Sequence, residues 1–136
     1  MKFEFYKYLH DDAIEIRQKV FVEEQGFANE FDDIDQRAIH LVVYENNQAI
    51  GCARMFDEDK TMIFGRLAVL KEKRHVHIGS QILSALERYA QELGYQEVVL
   101  SAQTQALPFY VKNGYEAYGE EYLDEFCPHV HMRKRI

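Results

Sequence analysis

Residues 61–103 restrict the fold of this chain more than any other segment. They begin with an almost uninterrupted apolar run, TMIFGRLAVL, which predicts a strand buried on both faces. Apolar residues then recur at helical spacing from Ile78 to Leu93, and Gly94 marks the end of that helix. YQEVVLSAQ predicts the next strand. Since crossovers of this kind join parallel strands, the segment predicts an α/β fold with a parallel pair at its centre.

Shorter segments on both sides of this unit make the predicted sheet a mixed one. Strands are predicted for KFEFYKYL, IHLVVYE, AIGCARMF, YEAYGEEYL and HVHMRKR, most of them in antiparallel hairpins. HDDAIEIRQKVFVEEQG predicts a helix that Asp11 or Asp12 caps and Gly26 ends, and TQALPFYVKNG predicts a short last helix. FANEFDDIDQRA shows no clear period and predicts a loop or a short broken helix. The expected architecture is a single α/β (α+β) domain, residues 1–136, with about seven strands flanked by helices.

The charge balance and the cysteines argue against several classes of protein. Lys and Arg number 16 against 23 Asp and Glu, and the resulting charge of −7 disfavours nucleic-acid binding. Cys52 and Cys127 lie in no zinc-binding or disulfide spacing, so both are expected to be small buried residues. No signal peptide or membrane-spanning run is found, which predicts a cytoplasmic protein without membrane partners. His129 and His131 share a strand face but have no third ligand, so no metal is expected.

A basic loop precedes the long helix, in KEKRHVHIGSQIL, and is a local exception in an acidic chain. The first amides of a helix and its dipole together form a site for anions, phosphate in particular. Gly79 would let the backbone approach such a ligand closely. Two interpretations follow from the loop alone: a pyrophosphate cradle, or a solvated charged turn before an ordinary helix.

Several motifs together resemble the GNAT superfamily of acyl-CoA N-acyltransferases. RLAVLKEKRHVHIGSQIL is similar to its pyrophosphate loop, which runs Arg or Gln, two residues, Gly, one residue, then Gly or Ala; here the register starts at Arg74 and ends at Gly79. SAQTQALPFYVKNGY resembles the second signature, a short helix with a Tyr ahead of an NGY turn. VFVEEQG, HLVVYENNQAIGCAR and YLDEFCPHVHM resemble a subgroup of small, stand-alone bacterial members. The order of the predicted elements matches the family over the whole chain.

The resemblance implies that acetyl-CoA is the co-substrate and that no metal takes part. In the family, the apolar strand diverges from the strand after the long helix, and the pantetheine arm of CoA enters the gap. Gly65 is consistent with a bulge there, or with close packing alone. Backbone groups at the end of the strand would pair with pantetheine, and the loop amides would hold the pyrophosphate. The implied CoA-binding residues are Leu67, Ala68, Val69, Arg74, His75, Val76, His77, Ile78, Gly79, Ser80, Gln103 and Phe109.

The same resemblance implies direct attack of an amine on the thioester, with Tyr110 at the position of the general acid. A thiol has a pKa of about 8.5 and a free Tyr about 10, so a strengthening hydrogen bond to sulfur is a safer role than full proton transfer. Simple packing is the alternative for Tyr110. An alkyl amine with a pKa of about 10.4 must also lose a proton. Of the two candidate residues Glu24 is ranked before His129, a water relay has equal standing with either, and a solvated helix end is the alternative for Glu24.

The acceptor is expected to be a primary amine of a small molecule or peptide, and a homodimer is possible. The acidic run NEFDDID would steer a cationic substrate or form a solvated loop. His77 replaces the first Gly of the loop, and its Cβ predicts an ordinary backbone conformation there, with the ring toward the phosphates. Two other functions stay open: a non-catalytic CoA-binding sensor on the same fold, and a phosphate-binding interaction module without CoA chemistry.

Overall fold

The computed structural model describes residues 1–74 and 77–136 and contains a seven-stranded mixed sheet in the order β1-β2-β3-β4-β5-β7-β6. β4 and β5 are parallel, and the other neighbouring pairs are antiparallel. Helix α2 joins β4 to β5, so the predicted mixed sheet with a central crossover is confirmed. The strands are β1 Lys2–Tyr6, β2 Ile39–Glu45, β3 Gln48–Glu58, β4 Thr61–Val69, β5 Glu97–Gln103, β6 Glu116–Asp124 and β7 Cys127–Arg135, and the helices are α1 Asp11–Arg17, α2 Ile78–Glu92 and α3 Leu107–Lys112.

The two faces of the sheet carry different helices. One face of the sheet, which we call the α2 face, packs on helix α2. The buried side chains of Ile82, Leu83 and Leu86 contact strand residues such as Met55 and Leu100 there. The opposite face, which we call the α1 face, packs on helix α1. The apolar residues buried between them are Ala13, Ile16, Val20, Phe21, Phe27, Val42, Cys52, Ala68 and Leu70. Alternation along the strands divides the residues between the faces, as the period of two requires.

Helix α1 begins and continues differently from the prediction. His10 is its N-cap, and Nδ1 of His10 accepts a hydrogen bond from the backbone amide of Asp12 at 3.0 Å. The expected cap by Asp11 or Asp12 is therefore wrong, because the imidazole already satisfies this free amide. The helix runs on as a π-helical segment, Gln18–Glu24, before Gly26 turns the chain with φ +85. Such π segments are rare, and they are frequently found at functional sites.

The acidic segment after α1 turns inward. It contains a short 3₁₀ turn, Asp33–Gln36, and Glu30 and Asp35 are only 5% and 4% exposed. Both carboxylates bind buried arginines, so the expectation of a solvated loop or a steering patch is wrong for Glu30 and Asp35, whereas Asp33 is exposed. Burying these carboxylates without such partners would cost several kcal/mol each.

A bulge in β4 opens the centre of the sheet. The pairing of β3 with β4 shifts register between Cys52 and Arg54, and Arg66 on β4 has φ +51. The parallel pairing of β4 with β5 ends where Phe64 faces Leu100. Beyond that point β4 stays paired with β3, and β5 stays paired with β7. The two strands therefore diverge, as predicted, and we call the gap between residues 65–69 and residues 101–103 the slot.

Candidate active site

A cavity of about 700 Å³ lies at the slot. It extends from Arg54 and Phe56 on β3, past Gly65 on β4, to Phe109 and Tyr110 on α3. A Cβ at Gly65 would meet no atom within 4 Å, so the absence of a side chain there leaves open space at the cavity wall. The bulge and this glycine together make room for a ligand in the middle of a sheet that would otherwise be filled.

Tyr110 brings a protonated hydroxyl to the cavity. Its ring packs against Phe109 and Tyr115, with centroids 5.0 and 5.9 Å away, and burial raises the pKa of its hydroxyl to about 12. Proton transfer to a thiolate whose conjugate pKa is about 8.5 would then cost about 5 kcal/mol. The hydroxyl is a better hydrogen-bond donor than proton source, and its donor strength matters most when negative charge develops on sulfur.

His129 lies in the cavity wall with a defined tautomer. It is 6% exposed, and its Nδ1 lies 2.9 Å from the carbonyl oxygen of Cys127. Because a carbonyl only accepts, Nδ1 carries the hydrogen, and the neutral ring has its lone pair on Nε2. The ring of Tyr122 stacks beside the imidazole at 6.0 Å. His129 is therefore held in the form that a general base requires.

Glu24 is engaged by Arg74. Its two carboxylate oxygens accept from the two terminal nitrogens of Arg74, each at 2.7 Å, and this pair lowers the pKa of the Glu24 carboxyl. Nε of Arg74 donates to the carbonyl oxygen of Val69 at 2.9 Å. Arg74 thus links the end of β4 to the end of the π segment. A carboxylate with a lowered pKa and a bound guanidinium is a weak base, which disfavours the predicted role of Glu24.

The backbone at His77 contradicts the expectation of an ordinary conformation. His77 has φ +60 and ψ 22, in the left-handed region that glycine prefers. The loop therefore keeps the conformation expected of the family glycine, and His77 adopts it at a cost of about 1 kcal/mol. Histidine is among the residues that occupy this region more often than most. The neighbouring predicted ligands His75 and Val76 lie outside the described residues.

Gly79 is required by packing. A Cβ at Gly79 would lie 3.0 Å from Cζ of Phe109, so the missing side chain lets this ring pack against the first turn of α2. Both residues were predicted to bind CoA, and the structure brings them together. Ile78 is fully buried, which leaves its backbone amide as the group that a phosphate could reach, and Ser80 is half-buried.

Gln103 connects the end of β5 to the residue that follows the π segment. Its side-chain amide donates to Gln25 at 2.9 Å and accepts from Gln105 at 2.8 Å. On the opposite wall, Leu67 lines the cavity, whereas the side chains of Ala68 and Val69 are buried in the core. Only the backbone of these last two residues is in a position to meet a ligand.

Sequence reasoning missed the contacts that join the turn between β6 and β7 to the residues after the π segment, beside the cavity. The carboxylate of Glu125, in the turn between β6 and β7, accepts from the amides of Ala28 and Asn29 at 2.9 and 3.0 Å. Phe126 stacks on Phe27 with centroids 5.0 Å apart. These partners are nearly one hundred residues apart in the chain, and no local pattern signals such a contact.

The cysteines are not nucleophiles. Both thiols are free, and burial raises the pKa of Cys52 to about 12 and also raises that of Cys127. A thiol with a raised pKa is unreactive at neutral pH. Cys52 is fully buried as predicted, whereas Cys127 is half-buried.

Within residues 1–74 and 77–136, no three potential ligands cluster to hold a metal ion. The described helices include none with the length and apolar character needed to cross a membrane.

Comparison with known proteins identifies the family. Residues 7–136 match the family model of the acetyltransferase (GNAT) domain. The chain is 39% identical over 126 residues to YjcF of Bacillus subtilis (strain 168), named as an uncharacterized N-acetyltransferase, and the match covers 90% of each chain. An acyl-CoA N-acyltransferase from Pseudomonas aeruginosa is 25% identical and superposes with a TM-score of 0.87, over 98% of this chain and 99% of that one. The chain therefore belongs to the GNAT family and is an acetyltransferase.

Proposed function

We propose that this protein transfers the acetyl group of acetyl-CoA to a primary amine of a small molecule or peptide. The slot carries this proposal, because it opens a cavity between two parallel strands with Tyr110 and His129 in its walls. In the transfer, the amine nitrogen attacks the thioester carbonyl carbon, the carbon–sulfur bond breaks, and the thiolate leaves. The enzyme then has to accept one proton from the amine and to stabilise negative charge on sulfur.

The residues present fit CoA. The backbone of β4 past Phe64 is not paired with β5, which leaves the slot side of Leu67 able to pair with the amide-rich pantetheine arm. The start of α2, after the left-handed His77, offers free amides to the pyrophosphate. A fold neighbour, the CoA-dependent acyl-homoserine lactone synthase BjaI, holds isopentyl-CoA and superposes with a TM-score of 0.79 at 18% identity. The remaining CoA contacts are those that the family motif implies.

His129 is the better candidate for the base, in preference to Glu24. Nε2 of His129 is free to accept a proton, and the Cys127 carbonyl holds the other nitrogen as a donor in both protonation states. Glu24 is bound by Arg74 and would act as its anchor. Tyr110 donates a hydrogen bond to the leaving sulfur. A general base and an oriented hydrogen-bond donor each raise the reaction rate by about 100-fold or more in comparable enzymes.

A non-catalytic CoA sensor is the weaker alternative. The replacement of the loop glycine by His77 would favour a sensor, yet the backbone there retains the glycine-like conformation. A sensor would also have no need of a buried hydroxyl and an oriented imidazole in one cavity. Both features favour catalysis.

The test combines binding and turnover. Calorimetry with CoA and with acetyl-CoA should show binding of both, and thiol release should be detected with some members of a panel of amines, peptides and aminoglycosides. His129→Ala should lower kcat by about 100-fold, whereas His131→Ala, on the same strand face but exposed, should change it less than twofold. A wild-type protein that binds neither CoA nor acetyl-CoA would contradict the proposal. Binding without any thiol release would favour the sensor.

A further inference from the structure

Six charged side chains form a closed ring on the α1 face, beside the bulge of β4. Each arginine of this charge ring binds two carboxylates, and each carboxylate binds two arginines. Three positive and three negative charges therefore cancel. The shortest ion-pair contacts are 2.8 Å for Arg17–Glu30, 2.9 Å for Glu30–Arg66, 3.4 Å for Arg66–Asp32, 2.7 Å for Asp32–Arg54, 2.9 Å for Arg54–Asp35 and 2.7 Å for Asp35–Arg17.

Arg66 differs from the other members of the charge ring. It is the member with a left-handed backbone, φ +51, and it lies in the bulge that opens the slot. Its guanidinium also donates twice to the carbonyl oxygen of Glu30, from Nε at 3.1 Å and from Nη2 at 2.8 Å. Its own carbonyl oxygen accepts from the Cys52 thiol at 3.7 Å. A non-glycine residue in this conformation costs about 1–3 kcal/mol and persists only where its surroundings hold it.

The surroundings of Arg66 meet that requirement. Glu30 and Asp32 come from the loop after α1, and Arg17 and Arg54 hold that loop against the sheet. The guanidinium of Arg66 is therefore fixed by a set of ion pairs, and Arg66 is also one of the residues that line the cavity. The next residue, Leu67, is one that would meet the pantetheine arm.

We propose that Arg66 is a positioning residue for acetyl transfer, because the charge ring holds its left-handed backbone and thereby keeps the end of β4 in the shape that receives CoA. The effect on catalysis rests on the proposed function; the effect on the backbone does not. If the charge ring served only to attach the loop to the sheet, breaking it at any point would lower stability without a particular effect on the slot.

Three variants separate these roles. Arg66→Gly removes the guanidinium and accepts the left-handed backbone without strain, whereas Arg66→Ala removes the guanidinium and keeps the strain. Asp35→Asn is the matched control, since it weakens the charge ring on the side away from the bulge and leaves both carboxylate partners of Arg66 in place. Calorimetry should show CoA binding at least tenfold weaker in Arg66→Ala, less affected in Arg66→Gly, and changed less than threefold in Asp35→Asn. The unfolding temperature should fall in all three.

A second measurement stays informative whether or not CoA binds. The Leu70 amide, just after β4, donates to the Ile50 carbonyl at 2.9 Å, and its hydrogen exchange reports on the end of this strand. Exchange at Leu70 should be at least tenfold faster in Arg66→Ala than in Asp35→Asn, with Arg66→Gly between them, after correction for global stability. Equal exchange in all three variants, or wild-type CoA affinity in Arg66→Ala, would overturn the positioning role. Failure of the wild type to bind CoA would instead count against the proposed function.

Discussion

The two faces of the sheet are held to their helices by different forces. The α2 face is apolar, and residues such as Ile82 and Leu86 are completely buried there. The α1 face combines apolar contacts with the charge ring, whose Arg17 is 1% exposed. Apolar packing is nondirectional and tolerates changes of shape, whereas buried ion pairs require each partner at a defined distance. The difference places direction-dependent contacts in the wall of the cavity, which Glu30, Arg54 and Arg66 help to line.

Removing one buried charge is expected to have the largest effect on stability. Arg17→Met keeps much of the side-chain volume but leaves Glu30 and Asp35 each without one partner, and should lower the free energy of unfolding by about 3–5 kcal/mol. On the other face, Ile82→Val should cost about 0.5–1.5 kcal/mol. Urea denaturation measures both values.

The matched control for Arg17 is Arg133→Met. Arg133 pairs with Glu116 on the surface, with both side chains about half exposed or more, and its loss should cost less than about 1 kcal/mol. A cost for Arg17→Met no larger than that of Arg133→Met would show that the charge ring contributes little, and the contrast between the faces would then disappear.

Tyr110 lies where the two environments meet, with its ring in the apolar cluster of the α2 face and its hydroxyl at the cavity. Tyr110→Phe should preserve the packing and lower kcat by about 100-fold with little change in CoA affinity. Tyr118→Phe removes a hydroxyl outside the cavity lining and serves as the control. Steady-state kinetics in which both variants keep wild-type turnover would remove Tyr110 from the mechanism.

The pH dependence of stability should differ between the wild type and Asp35→Asn. The ion pairs and hydrogen bonds of Asp35 lower the pKa of its carboxyl to about 2, despite the opposing effect of its burial. Because this pKa is lower in the folded state than in the unfolded chain, Asp35 stabilises the folded protein at pH values above the unfolded pKa of about 3.9. This contribution of about 2 kcal/mol disappears as the pH falls toward 2. Burial raises the pKa of Glu30, which acts in the opposite direction.

The difference between the two proteins therefore isolates Asp35. Urea denaturation from pH 6 to pH 2.5 should show the stability of the wild type falling more steeply than that of Asp35→Asn. Parallel curves would mean that Asp35 keeps an ordinary pKa in the folded state, and that its ion pairs are weaker than the short distances imply.

The sequence predicted the α2 side of the molecule better than the α1 side, for a physical reason. Strand alternation, helical spacing and glycine stops are local, and they located the crossover and the short helix that carries Tyr110, whereas the slot was implied by the family resemblance. The charge ring joins residues from position 17 to position 66. Nothing in the spacing of NEFDDID shows that these carboxylates find buried arginines, so the run was interpreted as a surface loop.

The active-site residues show the same contrast between local sequence patterns and contacts that are distant in sequence. Gly79 and Phe109 belong to separate family motifs, and the structure places them in contact. Glu24 was proposed as a base because of its position at the end of a helix, but its pairing with Arg74 spans fifty residues and was not visible in the sequence. Motifs located the site; the states of its ionisable groups depended on tertiary contacts.

The smallest expected effect concerns His77, on the loop that leads into the apolar α2 side. His77→Gly should raise the free energy of unfolding by about 1 kcal/mol, because glycine adopts φ +60 without the steric cost that a Cβ imposes. His77→Ala removes the imidazole but keeps the Cβ, so it distinguishes the effect of the ring on stability from the effect of the backbone. This variant should not be stabilising. Thermal and urea denaturation of the three proteins give the comparison. If Gly and Ala have equal effects, the ring and not the backbone governs stability at this position, and the left-handed conformation costs the loop nothing.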